Sequence, residues 1–325
     1  MKTINKKFLT IFFVLTLLLT GLSCKKAFAS TGAPKMITLT VGQCDSFTDA
    51  DWQALRNSNC TDFVIIPALA GNYNSDEAGY ENQLAPKVIN AINKLATTMS
   101  WANIWIGTPG IGYSNCSIAS SSLNPFYNYI TYVKNQISSS IWNNNVRGIY
   151  MNEESVYGSV DYSNLGSNST IKLMNDLSYR VHNYLGKSFL WIPYYGYGSS
   201  PATIIKNIGY VADRTSIFDY VIIQPHYYFD STVQSNLAGV YYSVQNQAIC
   251  YRNGVAVTQK TSNTIIGVEM ESDWHILSPN SYSDFLGRYN EYVSEFSTFA
   301  GVYPLAFYWD TNLQKSLNER INPFY

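Results

Sequence analysis

Apolar residues along the chain gather in short runs of strand length, separated by longer stretches with helical spacing. The runs fall at 35–43 (KMITLTVGQ), 62–68 (DFVIIPA), 103–109 (NIWIGTP), 146–154 (VRGIYMNEE), 189–195 (FLWIPYY), 219–226 (DYVIIQPH), 264–271 (TIIGVEME) and 303–310 (YPLAFYWD). Amphipathic stretches at 83–98, 126–141, 170–186 and 281–299 lie between them. Strands alternating with helices predict a parallel sheet with helical crossovers. Eight such units across residues 30–325 fit one closed (β/α)8 barrel, an α/β fold. A doubly wound open sheet would place a glycine-rich phosphate turn after its first strand, and TVGQCDSF has no such turn.

Ahead of the barrel, Lys2, Lys6 and Lys7 precede the fifteen-residue apolar run Phe8–Leu22. Ala27-Phe28-Ala29 then reads as a cleavage site, so residues 1–29 are a signal peptide and Ser30 begins the mature chain. A membrane span needs about 20 apolar residues, so the run is short for one. The chain is expected to be secreted. A lipid anchor at Cys24 on the outer face of the cytoplasmic membrane is the alternative.

Hydrophobic residues make up 46% of the chain, enough for a large core, and charged residues only 13%, which excludes a disordered polyelectrolyte. Beyond residue 29 there are 16 basic and 22 acidic residues, a net charge of −6, with no basic run. A nucleic-acid partner is therefore not expected. Aromatics reach 15%, including 27 tyrosines. Each buried tyrosine must satisfy its hydroxyl. Such an excess suits a sugar-binding surface, or simply a tyrosine-rich secreted one. Cys44, Cys60, Cys116 and Cys250 show no metal-ligand spacing; Cys44 and Cys60 could pair, or all four could stay as thiols.

In (β/α)8 barrels the chemistry sits at the C-terminal ends of the strands. Those ends offer Gln43 and Asp45; Tyr73; Asn152, Glu153 and Glu154; Tyr194 and Tyr195; Gln224, His226 and Tyr227; Glu269, Glu271 and Asp273; Trp309 and Asp310. Alternation along a strand points Tyr150, Asn152 and Glu154 at the barrel axis, and likewise Glu269 and Glu271. Two carboxyls opposed across a cleft are what cleavage of a glycosidic bond needs. One protonates the leaving oxygen, while the other attacks the sugar or activates water. Acids held by a cation such as Arg147 are the structural alternative. A magnesium or calcium site on Glu269, Glu271 and Asp273 is another. His182, His226 and His275 are the only histidines, and no HExxH or GxSxG motif occurs.

The sequence Asn152-Glu153-Glu154 after strand four, Glu269 and Glu271 on strand seven, and Trp309 on strand eight resemble the clan of barrel glycoside hydrolases. That clan carries its acid/base on strand four, often after Asn, and a nucleophilic Glu on strand seven. Its strict pattern implies Glu153; strand parity selects Glu154. The segments GIYMNEESVYG (148–158), LWIPYYGYG (190–198), FDYVIIQPHYYFD (218–230) and GVEMESD (267–273) are similar to a family of secreted bacterial barrels of unknown function. The resulting expectation is a secreted, monomeric glycoside hydrolase acting on an extracellular or cell-envelope polysaccharide. Glu154 or Glu153 is the acid/base, and Glu271 or Glu269 the nucleophile or base. Asn152, Tyr195, Gln224, His226, Tyr227, Trp309 and Asp310 hold the sugar. No cofactor or metal is implied. The competing readings are a non-catalytic glycan-binding barrel and a metal-dependent hydrolase.

Overall fold

A computed structural model describes residues 32–68, 76–110, 123–278, 280, 282–309 and 312–325. The predicted signal peptide, Cys24, Tyr73, Cys116 and Asp310 lie outside the described residues. Residues Ala33–Tyr325 form one compact unit.

All eight predicted strands form: β1 Lys35–Thr40, β2 Asp62–Ile66, β3 Asn103–Gly107, β4 Val146–Met151, β5 Ser188–Trp191, β6 Tyr220–Ile223, β7 Ile265–Glu271 and β8 Leu305–Tyr308. They pair in parallel in chain order, and β8 closes onto β1. A helix follows each strand: α1 Asp49–Arg56, α2 Ala85–Thr98, α3 Asn124–Gln136, α4 Ser169–Arg180, α5 Pro201–Arg214, α6 Asn236–Asn246, α7 Ser283–Phe296 and α8 Leu313–Ser316. Helix α2 shows why the pattern is readable. Pro86 occupies its first turn, where no N–H is needed, and Ala85, Val88, Ala91, Ile92 and Leu95 form its buried stripe.

Strand one ends earlier than its apolar run suggests. Thr40 and Gln43 make a reciprocal capping box that turns Val41–Ser46 into a helix. Gln43 therefore caps a helix, and Asp45 pairs with Lys87 at 3.3 Å.

Two apolar layers result. The larger lies between strands and helices and includes Ile37, Phe63, Ile149, Phe189, Val221, Val268 and Phe307. The smaller fills the barrel with Met36, Val64, Trp105, Tyr150, Leu190, Ile192, Ile222 and Ala306. Gly148 is required here, because a Cβ would sit 2.3 Å from the Trp105 ring and 2.5 Å from the Ser188 carbonyl. Cys44, Cys60 and Cys250 are buried free thiols, so the Cys44–Cys60 pairing does not form. Among the described residues, no helix is long and apolar enough to cross a membrane.

Candidate active site

The mouth of the barrel is built by carrying strand alternation past each strand end. On β4, Tyr150 points inward, and two further steps of two bring Asn152 and then Glu154 to the rim. Gly110 lies beside Asn152, whose backbone N–H donates to Thr108 Oγ1 at 3.1 Å. Gln224 fixes Glu154: its amide donates to Glu154 Oε1 at 3.0 Å and to the Ile192 carbonyl at 2.9 Å. The Tyr194 hydroxyl is also hydrogen-bonded to Glu154, and burial together with that carboxylate pushes the phenol above its usual range.

On β7, Glu269 and Glu271 share one face, about 6.6 Å apart along the strand. Glu271 is 1% exposed. Its Oε2 accepts the Tyr292 hydroxyl from α7 at 2.5 Å and the His226 backbone N–H at 2.6 Å. Glu269 lies deeper, 3% exposed. Burial pushes its carboxyl well above the usual range, and the charges of Glu271 and then Glu154 add to the rise. Both effects favour the protonated form of Glu269. The same environment raises the Tyr150 phenol beneath the cluster, chiefly by burial and then by Glu154 and Glu269.

Acids from strands four and seven thus face one electrostatic environment. Among the described residues no lysine or arginine forms an ion pair with Glu154, Glu269 or Glu271. Arg147, the cation expected from the sequence, is held elsewhere. It pairs with Asp62 at 3.3 Å at the opposite end of the barrel.

His226 forms the wall between the acids and the rim. Its φ of 63° is left-handed, a conformation that costs a non-glycine residue about 1–2 kcal/mol. That turn aims its N–H at Glu271 and sets its ring among Tyr194, Tyr197 and Phe229, at 5.0, 4.3 and 5.9 Å between centroids. His226 Nδ1 is buried without a hydrogen bond, 3.7 Å from Glu271 Oε1. Tyr197 and Phe229 are 42% and 40% exposed, an open aromatic edge beside the acids.

Three predicted sugar contacts lie away from the mouth. Tyr195 is fully buried, with its hydroxyl on the Cys250 carbonyl at 2.6 Å and its ring against Gly239 of α6. Tyr227 stacks on Tyr292, and its hydroxyl donates to Glu291 at 2.9 Å. Trp309 is 1% exposed, packs on Phe47 and donates its indole N–H to the Thr38 carbonyl at 2.8 Å. Each follows an outward-facing residue by two positions: Trp191 and Pro193 lead to Tyr195, Ile223 and Pro225 to Tyr227, and Phe307 to Trp309. The same alternation sends inward Tyr194, which the sequence offers at a strand end without assigning it to the sugar, and Tyr308, which the sequence reading passed over. Phe229 touches Tyr308 at 6.2 Å.

Glu153 is buried as well, but its carboxylate accepts the Ser155 N–H at 3.2 Å, and the acids acting on Glu269 are Glu271 and Glu154. Asp273 turns from the cluster to accept the Tyr228 hydroxyl and His275 Nδ1, each at 2.7 Å. Among the described residues no group of three or more His, Cys, Asp or Glu is placed to hold a metal ion. A cleft of about 510 Å³ between α6 and α7, lined by Gln234, Leu237 and Glu291, contains none of the barrel acids.

Fold and mouth together define the class: a closed (β/α)8 barrel with a carboxylate cluster at its C-terminal end. No protein-family model and no curated protein matches the chain. Solved structures do. A GH18 chitinase from Pseudoalteromonas aurantia aligns with a TM-score of 0.50 at 11% identity, covering 89% of this chain and 97% of that one. Active domain 2 of a chitinase from Pyrococcus furiosus aligns with a TM-score of 0.46 at 12% identity, covering 85% of this chain and 84% of that one. Human YKL-39, described as a pseudo-chitinase that retains chitooligosaccharide binding, aligns at 0.39 and 15% identity over 59% of this chain and 51% of that one. The first of these likenesses bears out the fold, a (β/α)8 barrel.

Proposed function

We propose that the protein is an exported glycoside hydrolase that cleaves a polysaccharide outside the cytoplasm. One observation carries this reading: Glu154, Glu269 and Glu271 meet at the barrel mouth, and among the described residues no lysine or arginine forms an ion pair with any of them. A structural acid cluster would be neutralised, whereas an acid pair that handles a leaving oxygen and an anomeric carbon must stay available. Glu154 is the least enclosed of the three and is the acid/base, aimed by Gln224 and Tyr194. Glu271, pinned by His226 N–H and the Tyr292 hydroxyl, is the nucleophile or the base for water. Burial favours the protonated form of Glu269 below them, which limits the negative charge crowded at the mouth. Asn152, His226, Tyr194 and the exposed edge of Tyr197 and Phe229 contact the sugar. Residues 1–29 direct export, with a lipid anchor at Cys24 as the alternative ending; mass spectrometry of the mature chain separates the two.

The test is a polysaccharide panel, including chitin because a chitinase shares the fold, assayed with wild type, Glu154→Gln and Glu271→Gln. The expected result is turnover lost by about 10³-fold or more in both variants, with binding kept. Unchanged turnover in both sinks the assignment. The burial of Glu271 favours a second reading, a glycan-binding barrel without catalysis; binding by wild type with no hydrolysis of any member of the panel establishes it.

A further inference from the structure

The loop leaving β7 carries a second aromatic construction, outside the acid cluster. Trp274 is 45% exposed at the start of a single 3₁₀ turn, Trp274–Leu277. Its inner face lies on the His275 ring, 3.8 Å between centroids and 25° from parallel. His275 in turn lies on Phe285 of α7, at 4.2 Å and 13°. Tyr282 is perpendicular to both upper rings, at 85° and 89°, and nearly equidistant from them at 5.0 and 4.5 Å. It therefore stands beside the stack, and among the described residues no other aromatic ring lies on Trp274, which stays 45% exposed.

This pedestal is braced from within. Asp273, 8% exposed, accepts both the backbone N–H and Nδ1 of His275, at 3.0 and 2.7 Å, and the Tyr228 hydroxyl at 2.7 Å. A buried carboxylate thus fixes the angle of the ring on which the tryptophan rests. Tyr228 also contacts Phe229, at 4.9 Å, so the pedestal continues into the aromatic edge at the acids. A protein partner would need a broad apolar patch. Here a single flat ring face is presented by a rigid support.

We infer that Trp274 is a carbohydrate-binding platform that stacks one pyranose ring of an extended glycan, away from the point of cleavage. The ligand class is an oligosaccharide whose sugar rings expose C–H faces, and the ring takes the place of the next layer in the stack. This inference rests on the glycan reading of the mouth and deepens it: the substrate is a chain of several sugars. Trp101, the other strongly exposed tryptophan at 49%, precedes β3 and lies at the opposite end of the barrel. It serves as the internal control.

The experiment measures binding of cello-, chito- and xylo-oligosaccharides of two and six residues by calorimetry, to wild type, Trp274→Ala, Trp274→Phe and Trp101→Ala. The expected result is a loss of about tenfold in affinity for the bound hexasaccharide in Trp274→Ala, the size of one ring-stacking contact. Affinity for the disaccharide and the behaviour of Trp101→Ala are expected to match wild type, and Trp274→Phe to recover part of the loss. A hexasaccharide-induced shift in tryptophan fluorescence, absent in Trp274→Phe, gives a second readout. Equal losses for both lengths, no loss in Trp274→Ala, or no binding of any member of the panel by wild type overturns the platform. Binding that depends on Trp274 without hydrolysis removes the enzyme reading and keeps the platform; hydrolysis without a Trp274 effect does the reverse.

Discussion

The two ends of the barrel treat a buried acid in opposite ways. Asp62, at the start of β2, is fully buried and completely served: Arg147 at 3.3 Å, the Trp105 indole at 2.9 Å, Asn103 at 3.3 Å and Thr61 at 2.7 Å. Glu269, in β7, is almost as deeply buried, yet its charged neighbours are two more carboxylates. The fold can evidently neutralise an acid inside its walls. It does so at the foot and not at the mouth, a contrast that, on the function proposed above, separates an acid kept for stability from acids kept for chemistry.

The largest effect expected from breaking this contrast is at the foot. Arg147→Met strands Asp62 without its cation and should cost about 3–5 kcal/mol of unfolding free energy, read by urea denaturation. A loss below about 1 kcal/mol would show that the pair is not structural. At the mouth, Tyr292→Phe removes one donor from Glu271 and one acceptor from the Tyr228 N–H. It should cost about 1–3 kcal/mol in stability, and kcat on any cleaved glycan should fall more than KM rises.

Glu269→Gln should act in the other direction. The folded protein holds that proton above the pH at which the unfolded chain releases it, so wild-type stability drains away as pH rises past the ordinary carboxyl range. Melting temperatures at pH 4 and pH 8 should show the variant gaining on wild type at the higher pH. A gap independent of pH would point to another group. The smallest effect belongs to Asp213 of α5, buried with Oδ1 unbonded and raised by burial to about 6. Its share of stability is full below about pH 3.8 and is lost as pH climbs to about 6. Asp213→Asn should flatten the melting curve across that window and nowhere else.

The strands were legible because a buried parallel sheet writes itself as recurrent apolar runs, and eight such runs permit few architectures. The inward placement of Glu154, Glu269 and Glu271 was legible because alternation was followed through β4 and β7. The buried, outward placement of three aromatics was missed where it was not. Followed through β5, β6 and β8, the same rule turns Tyr195, Tyr227 and Trp309 toward the helices and leaves Tyr194, His226 and Tyr308 inward. The left-handed turn at His226 had no signal, since nothing in Gln224-Pro225-His226 requires it. The helix at Val41 was signalled by Thr40 and Gln43, but the preceding apolar run masked it.

Gly239 has a consequence for how this chain can change over time. A methyl group there would sit 2.0 Å from the Tyr195 hydroxyl oxygen. The two positions are therefore locked together in descent: a lineage can enlarge residue 239 only after residue 195 has become smaller. An alignment of relatives should show them varying as a pair, although 43 residues of chain lie between them.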